Sequence, residues 1–459
     1  MAVIGPRAAG DDDGGGGWSW GGRVGEVSGA PVVVVTSLAV MGWVRASASR
    51  VRRGWARSAV RAGSAASRLS RRLGLGEGSI IGGRVTLALD PDALSRLAAG
   101  RCVVLVSGTN GKTTTSHLLA AALRTAGRVA HNATGSNMAD GAVAALSAAV
   151  DAEYAVLEVD EWHLAEVAEA VDPAVVVLLN LTRDQLDRGT EVRAVAAALG
   201  SVLVRLPRTL VVANADDPMV VWAAGMASRT HWVAAGVCWT GDAASCPGCG
   251  SILRTTGGSW TCACGLARPE PDSWLDGELL RTGQEVTPLS LRLPGRFNVG
   301  NAALAVAAAA RLGVPPRRAA TAMGAVESVA GRFAVIRRGD QELRLLLAKN
   351  PAGWAATLSV LEEARALLIV INAREADGRD TSWLWDVSFE NLPRRVVVAS
   401  GERSADLGVR LSYAGIDHRT HPDPMAGLAL LPPGKVDVVA NYTAFHQLLR
   451  RLAPRAGTP

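Results

Sequence analysis

The string Ser107-Gly108-Thr109-Asn110-Gly111-Lys112-Thr113-Thr114-Thr115 constrains this chain more than any other stretch. It follows the apolar run CVVLVS at 102–107 and leads into TTSHLLAAALRTAG, which closes at Gly127, so the order is strand, glycine-rich loop, helix. In that context the loop's backbone N–H groups and the helix N-terminus form a cradle for phosphate. Lys112 is placed to reach the β- and γ-phosphates, and Thr113 offers its hydroxyl to Mg²⁺. The candidate nucleotide-binding residues are therefore Gly108, Thr109, Asn110, Gly111, Lys112, Thr113 and Thr114.

Further apolar runs at 154–159, 174–181 and 209–213 alternate with Ala-rich helical stretches. This rhythm predicts a parallel sheet covered on both faces. Glu158 ends the first of these runs, at the sheet edge where such folds bind ligands. One carboxylate beside a phosphate loop suits Mg²⁺, a hard cation that takes oxygen ligands. After about residue 325 the alternation restarts with ALLIVINA, RRVVVAS and VDVVANY, which predicts a second, smaller α/β domain. At 459 residues the chain is long enough for both.

Composition enters through lysine. The chain has 45 Arg and only Lys112, Lys349 and Lys435, so a surviving Lys marks a place where a compact ammonium matters. The net charge of +6 favours an anionic ligand or surface without selecting one. Nine Arg sit in 43–75, where VRASASRVRRGWARSAVRAGSAASRLSRRLG suits a basic amphipathic helix. It could lie on anionic lipid or pack on the body with its Arg in solvent. Residues 31–43 are apolar but too few to cross a bilayer. Residues 1–42 read as a disordered or misassigned N-terminus, with Met41 a candidate start.

Four of six cysteines form Cys246-Pro-Gly-Cys249 and Cys262-Ala-Cys264, twelve residues apart. Paired knuckles of this kind predict a Cys₄ zinc ribbon at about 238–270, and four thiolates leave no open position for catalysis. An ATP motif places the chain in the cytoplasm, where disulfides are rare.

Val106, standing where the generic phosphate loop has Gly, points to the GTNGKT[ST] variant of Mur ligases and folylpolyglutamate synthases. Asn214-Ala-Asp-Asp-Pro218 and Gly295-Arg-Phe-Asn298-Val-Gly-Asn301 resemble further Mur segments, as does Gly331-Arg332-Phe333. The resemblance implies that Asn298 and Asn301 contact nucleotide and that Arg332 approaches its phosphates. With Gly135-Ser-Asn-Met138, RDQLDR at 183–188, Ala348-Lys349-Asn350-Pro-Ala-Gly353 and Ala376-Asp-Gly-Arg-Asp380-Thr-Ser-Trp383, the chain resembles the MurT family over about 43–450. Gln185 stands where amino-acid-adding Mur ligases have a metal-binding His.

The resemblance implies a Mur-ligase-like ATP-binding domain at 76–325 with the ribbon inserted, and a partner-binding α/β domain at 326–459. It implies ATP-dependent amidation of the α-carboxylate of D-glutamate in the lipid II stem peptide, at the inner face of the cell membrane. Lys112 and Glu158 would be catalytic, with Thr113 and Glu158 on magnesium. Ammonia would come from a separate glutaminase, GatD, whose Cys and His would be completed by Asp380. Two rivals are a stand-alone amino-acid-adding ligase of the Mur or folylpolyglutamate type, and an ATPase whose ribbon touches nucleic acid. No basic, aromatic-rich stretch surrounds the ribbon, which counts against the second.

Overall fold

The computed structural model describes residues 58–73, 79–133, 135–184, 191–236, 242, 244–329, 331–361 and 364–452. The apolar run at 31–43, Met41, Gln185 and Cys238 lie outside the described residues. Among the described residues, no helix is long and apolar enough to cross a membrane.

The chain first forms two helices, 58–72 and Ser79–Leu89, and then a nine-stranded sheet. Its strands are β1 (Cys102–Ser107), β2 (Val129–His131), β3 (Tyr154–Glu158), β4 (Val175–Leu178), β5 (Leu210–Asn214) and β6 (Thr230–Ala234), then β9 (Ser273–Asp276), β10 (Leu279–Thr282) and β11 (Glu285–Pro288). Between β6 and β9 the chain leaves the sheet for a small hairpin, β7 (Arg254–Thr256) with β8 (Ser259–Thr261). It returns in parallel register, Val233 opposite Ser273.

The spatial order is β11-β10-β9-β6-β5-β4-β1-β3-β2, with β1 to β6 parallel. Strand β1 lies between β3 and β4, where the order reverses, so its C-terminal end opens onto the crevice that such sheets use for ligands. Alternation along β1 explains the two helical layers. Val103 and Leu105 pack under the helices Ala139–Ala148, Leu164–Val171, Val192–Val204 and Pro218–Ala224. Val104 and Val106 pack under Lys112–Leu123, Arg296–Arg311 and Pro316–Gly324. Val106 is wholly buried there, so the residue replacing a loop glycine has become core.

A six-stranded sheet follows: β12 (Phe333–Arg338), β13 (Gln341–Leu347), β14 (Ala366–Val370), β15 (Val396–Ser400), β16 (His418–His421) and β17 (Gly434–Ala440), in the order β12-β13-β17-β14-β15-β16. The apolar runs read from the sequence after residue 325 are β14, β15 and β17. The strands β9 to β13 were not read. β9 to β11 are short and half exposed, and turns at Asp276-Gly277, Thr282-Gly283 and Gly339-Asp340, each with its glycine at positive φ, are the signals that mark the three hairpins.

Candidate nucleotide and metal sites

The phosphate loop is braced from the exit of β4. Asn180 accepts from Thr109 N at 2.8 Å through its carbonyl and from Asn110 N at 3.0 Å through Oδ1. Its Nδ2 donates to Asn110 O at 2.9 Å, and the Thr109 hydroxyl exchanges hydrogen bonds with the backbone of Thr182. Gly111 is required here twice over. Its φ is +87°, and a Cβ would meet Asn301 Oδ1 at 2.6 Å. Asn301 donates to Asn298 Oδ1 at 3.3 Å, so the first turn of helix Arg296–Arg311 sits directly on the loop.

Lys112 is buried, and its Nζ donates to Gly108 O at 2.6 Å and to Glu161 Oε2 at 3.0 Å. Burial works against its charge, but the carboxylates of Glu161, Asp160, Glu158 and Asp184 outweigh it and hold the ammonium above its ordinary range. Glu161 is in turn held down by Lys112, against its own burial.

Glu158 is the structural oddity. Asn132 clamps its backbone from both sides, at 2.8 Å each, which fixes the end of β3. Both carboxylate oxygens are buried and neither has a hydrogen-bond partner. A Cβ built on Gly135 would lie 3.8 Å from Thr113 Oγ1 and 4.0 Å from Glu158 Oε2, so the hydroxyl and the carboxylate converge on one space. An unsatisfied buried carboxylate is costly unless a cation neutralises it, and a carboxylate with a Thr hydroxyl is the donor set Mg²⁺ uses beside phosphates. These residues fit the ion.

The cavity beside the loop measures about 330 Å³. Asn110, Gly111, Thr113 and Thr114 line one wall, Asn298 and Asn301 a second, and Phe297, Leu293 and Phe333 give it an apolar end. Arg332 reaches in, NH2 donating to Thr113 Oγ1 at 3.2 Å. Gly108, Thr109 and Lys112 do not line the cavity, the Lys112 ammonium being turned to Gly108 O and Glu161.

The six-stranded sheet contributes too. Just past β13, Lys349 pairs with Asp184 at 2.6 Å. Asn350 Nδ2 donates to Asp184 Oδ1 and to Asn110 Oδ1, both at 3.1 Å, while its own Oδ1 caps the helix Pro351–Leu358. Glu161, Asn180, Asp184, Lys349 and Asn350 were not among the site residues read from the sequence. The chain holds 11 Asn and three Lys in 459 residues, and that scarcity is the signal for Asn180, Lys349 and Asn350.

In the knuckles, the four Sγ atoms lie within 4.8 Å of one another. Cys246 and Cys264 are 3.6 Å apart, Cys249 and Cys262 3.4 Å. Four thiolates at 2.3 Å around zinc would stand about 3.8 Å apart, so the cluster fits that ion. Hydrogen bonds from the side chain and backbone of Ser251 pull the Cys249 thiol down to about 6. Trp260 Nε1 donates to Asp216 O at 3.1 Å and Arg268 Nε to Asp216 Oδ1 at 2.8 Å, which anchor the hairpin to the Asn214-Asp217 turn. Asp217 itself caps helix Pro218–Ala224. Elemental analysis of reduced protein is expected to find one zinc per chain, and Cys246→Ser to release it and lower thermal stability. Zinc-free wild-type protein would remove the ribbon.

Asp380 is remote from these clusters in sequence and exposed, its Oδ1 accepting from Ser382 N at 2.7 Å. That bond and the Ser382 hydroxyl hold its carboxyl below the ordinary range. Asp377 is buried and accepts from Thr443 N at 2.8 Å, so it shapes the turn. Beside Asp380 the 3-10 segment Ser382–Asp386 exposes Trp385, which meets Tyr413 edge-to-face at 5.3 Å.

Residues 106–246 match the Mur ligase middle domain, and residues 347–445 match the MurT ligase C-terminal domain. The MurT subunit of lipid II isoglutaminyl synthase (glutamine-hydrolyzing) from Streptococcus pneumoniae is 30% identical over 382 residues, which cover 74% of this chain and 83% of that protein. The chain belongs to the MurT family. MurT from Staphylococcus aureus is likewise 30% identical, over 389 residues that cover 78% of this chain and 88% of that protein. Among solved structures, a pseudomurein peptide ligase type C from Methanothermus fervidus superposes with a TM-score of 0.61 at 18% identity, covering 79% of this chain and 81% of that one, which shows the shared Mur-ligase fold. MurT proteins are thus Mur-type ligases by fold, and the zinc-ribbon-like cluster sits within this one between β6 and β9.

Proposed function

We propose that this chain is the ATP-using subunit of a lipid II isoglutaminyl synthase in peptidoglycan synthesis, working at the inner face of the cell membrane. The observation that carries the reading is Glu158, a buried carboxylate with both oxygens unpartnered, beside Thr113 and a phosphate loop whose Lys112 is held charged. The cavity lined by Asn110, Thr113, Asn298, Asn301 and Arg332 takes the nucleotide, mostly within the ATP-binding region 76–325 and closed by Arg332 and Lys349 from the region that follows. Magnesium, when bound, supplies charge neutralisation for the transferring phosphoryl group.

The residues divide the work. Lys112 and the loop amides orient the γ-phosphate toward the α-carboxylate of D-glutamate in the stem peptide. A carboxylate oxygen attacks phosphorus and ADP leaves; ammonia then attacks the acyl carbon, expels phosphate and sheds a proton, giving D-isoglutamine. Arg332 and Lys112 offset the charge that develops in both steps. Zinc holds the ribbon and takes no part in the chemistry.

Ammonia release needs a nucleophile this chain does not offer among its described residues. The knuckle thiols are taken up by the cluster, and burial pushes the Cys102 thiol up. A glutaminase partner, GatD, therefore docks on the 326–459 region as a heterodimer, where Asp380, Trp385 and Tyr413 are exposed. Supplying glutamine to the chain with and without that partner tests the reading. Amide should form on lipid II only with it, whereas a stand-alone ligase would incorporate an amino acid without it.

A further inference from the structure

The helices 58–72 and Ser79–Leu89 form an antiparallel hairpin closed by small residues. Gly63 faces Gly82 and Thr86, and Gly82 faces Ser67, so closely that a Cβ on either glycine would clash. Contact through backbone leaves the larger side chains on the outside. Toward the end where the chain turns, Leu69 and Leu73 are 58% and 62% exposed, and Ile80 and Ile81 45% and 40%. Arg68, Arg71 and Arg72 stand exposed among them. Residues 43–73 hold nine Arg and neither Asp nor Glu.

This end of the hairpin is not remote from the chemistry. Gly83 lies against the backbone of Asp140, and Arg84 Nε pairs with Asp140 Oδ2 at 3.1 Å, seating the hairpin on the first turn of helix Ala139–Ala148. Met138, exposed, precedes that turn. Asn137 O accepts from Asp160 N at 2.8 Å, which brings in exposed Trp162, next in sequence to the Glu161 that holds Lys112.

We propose that the hairpin end, continued by Met138 and Trp162, is a surface that docks on an anionic lipid bilayer. Four aliphatic side chains enter the acyl boundary, Trp162 sits at headgroup depth, and the arginines meet lipid phosphate. Charge selects this occupant. A second copy packed through the same face would set Arg68, Arg71 and Arg72 against themselves across a two-fold axis. Docking holds the mouth of the site at the bilayer, where a lipid-borne substrate lies.

The proposal is independent of the reaction assigned above, because its test needs no substrate. The full chain is sedimented with phosphatidylcholine vesicles, with or without phosphatidylglycerol. Binding is expected only with the anionic lipid, and to fall at least tenfold in roughly 1 M salt, where screening is complete within ~3 Å. Leu69→Glu/Leu73→Glu should weaken it at least tenfold. Arg68→Gln/Arg71→Gln should weaken it about 25-fold, at roughly fivefold per arginine. ATP binding should be unchanged in both. No sedimentation, equal binding to neutral vesicles, or variants that bind like the wild type would overturn the proposal. So would a dimer that the variants convert to monomer without vesicle binding, which would give the surface to a second copy.

Discussion

Replacing Lys112 with Ala is expected to lower ATP turnover by about 10²–10³-fold or more, the effect of removing the charge proposed above to act on the transferring phosphoryl group. The loop is also part of the core. Lys112 is 4% exposed and pairs with Glu161 at 3.0 Å, so the single change strands a carboxylate that is itself buried. Breaking one side of a buried pair costs about 3–5 kcal/mol, and Lys112→Ala should unfold at a lower temperature. Glu161→Gln added to it removes the stranded charge, and most of that stability should return while turnover does not. The two losses separate only if Lys112 has two roles. Normal turnover by the folded double variant would overturn the nucleotide-site assignment, and unchanged stability of the single variant would contradict the ion pair.

Asp380→Asn is expected to suppress glutamine-driven amidation roughly 10²–10⁴-fold, the scale on which a nucleophile–base pair depends on the carboxylate that orients it. Activity driven by free ammonia should be spared, and the complex with the partner retained. The geometry explains why the change is clean. Asp380 is exposed, and the Ser382 amide at 2.7 Å keeps it ionised and fixed within its turn. Asn keeps an oxygen for that hydrogen bond and removes the charge. Asp377→Asn serves as the contrast, because Asp377 braces Thr443 and should cost stability without favouring one nitrogen source. Equal loss of both activities in Asp380→Asn would move that residue into the synthetase site.

What was legible in the sequence was local. The phosphate loop is one contiguous string and the knuckles two, and the four knuckle thiols are brought together as their spacing implied, whereas Asn298 and Asn301 were marked by family resemblance. Contacts closed by the tertiary fold were not legible. Asn350 meets Asn110 across 240 residues, and Lys349 meets Asp184 across 165. No periodicity joins them; the rarity of lysine and the family-like string at 348–353 marked Lys349 without naming its partner. Glu161 was hidden differently. Three residues after Glu158, it reads as a second acidic residue past a strand end, and only the fold turns it back onto Lys112.

The ATP-using role proposed for this chain requires that it alone join ammonia to a carboxylate at the expense of ATP. It is tested most directly by incubating the purified chain with lipid II, ATP and isotopically heavy ammonium, without the partner, and following the label by mass spectrometry of the stem peptide. Heavy nitrogen is expected in the α-amide of D-glutamate, with one ADP released for each amide formed. ADP release without label in that amide, or an added amino acid in its place, would contradict it.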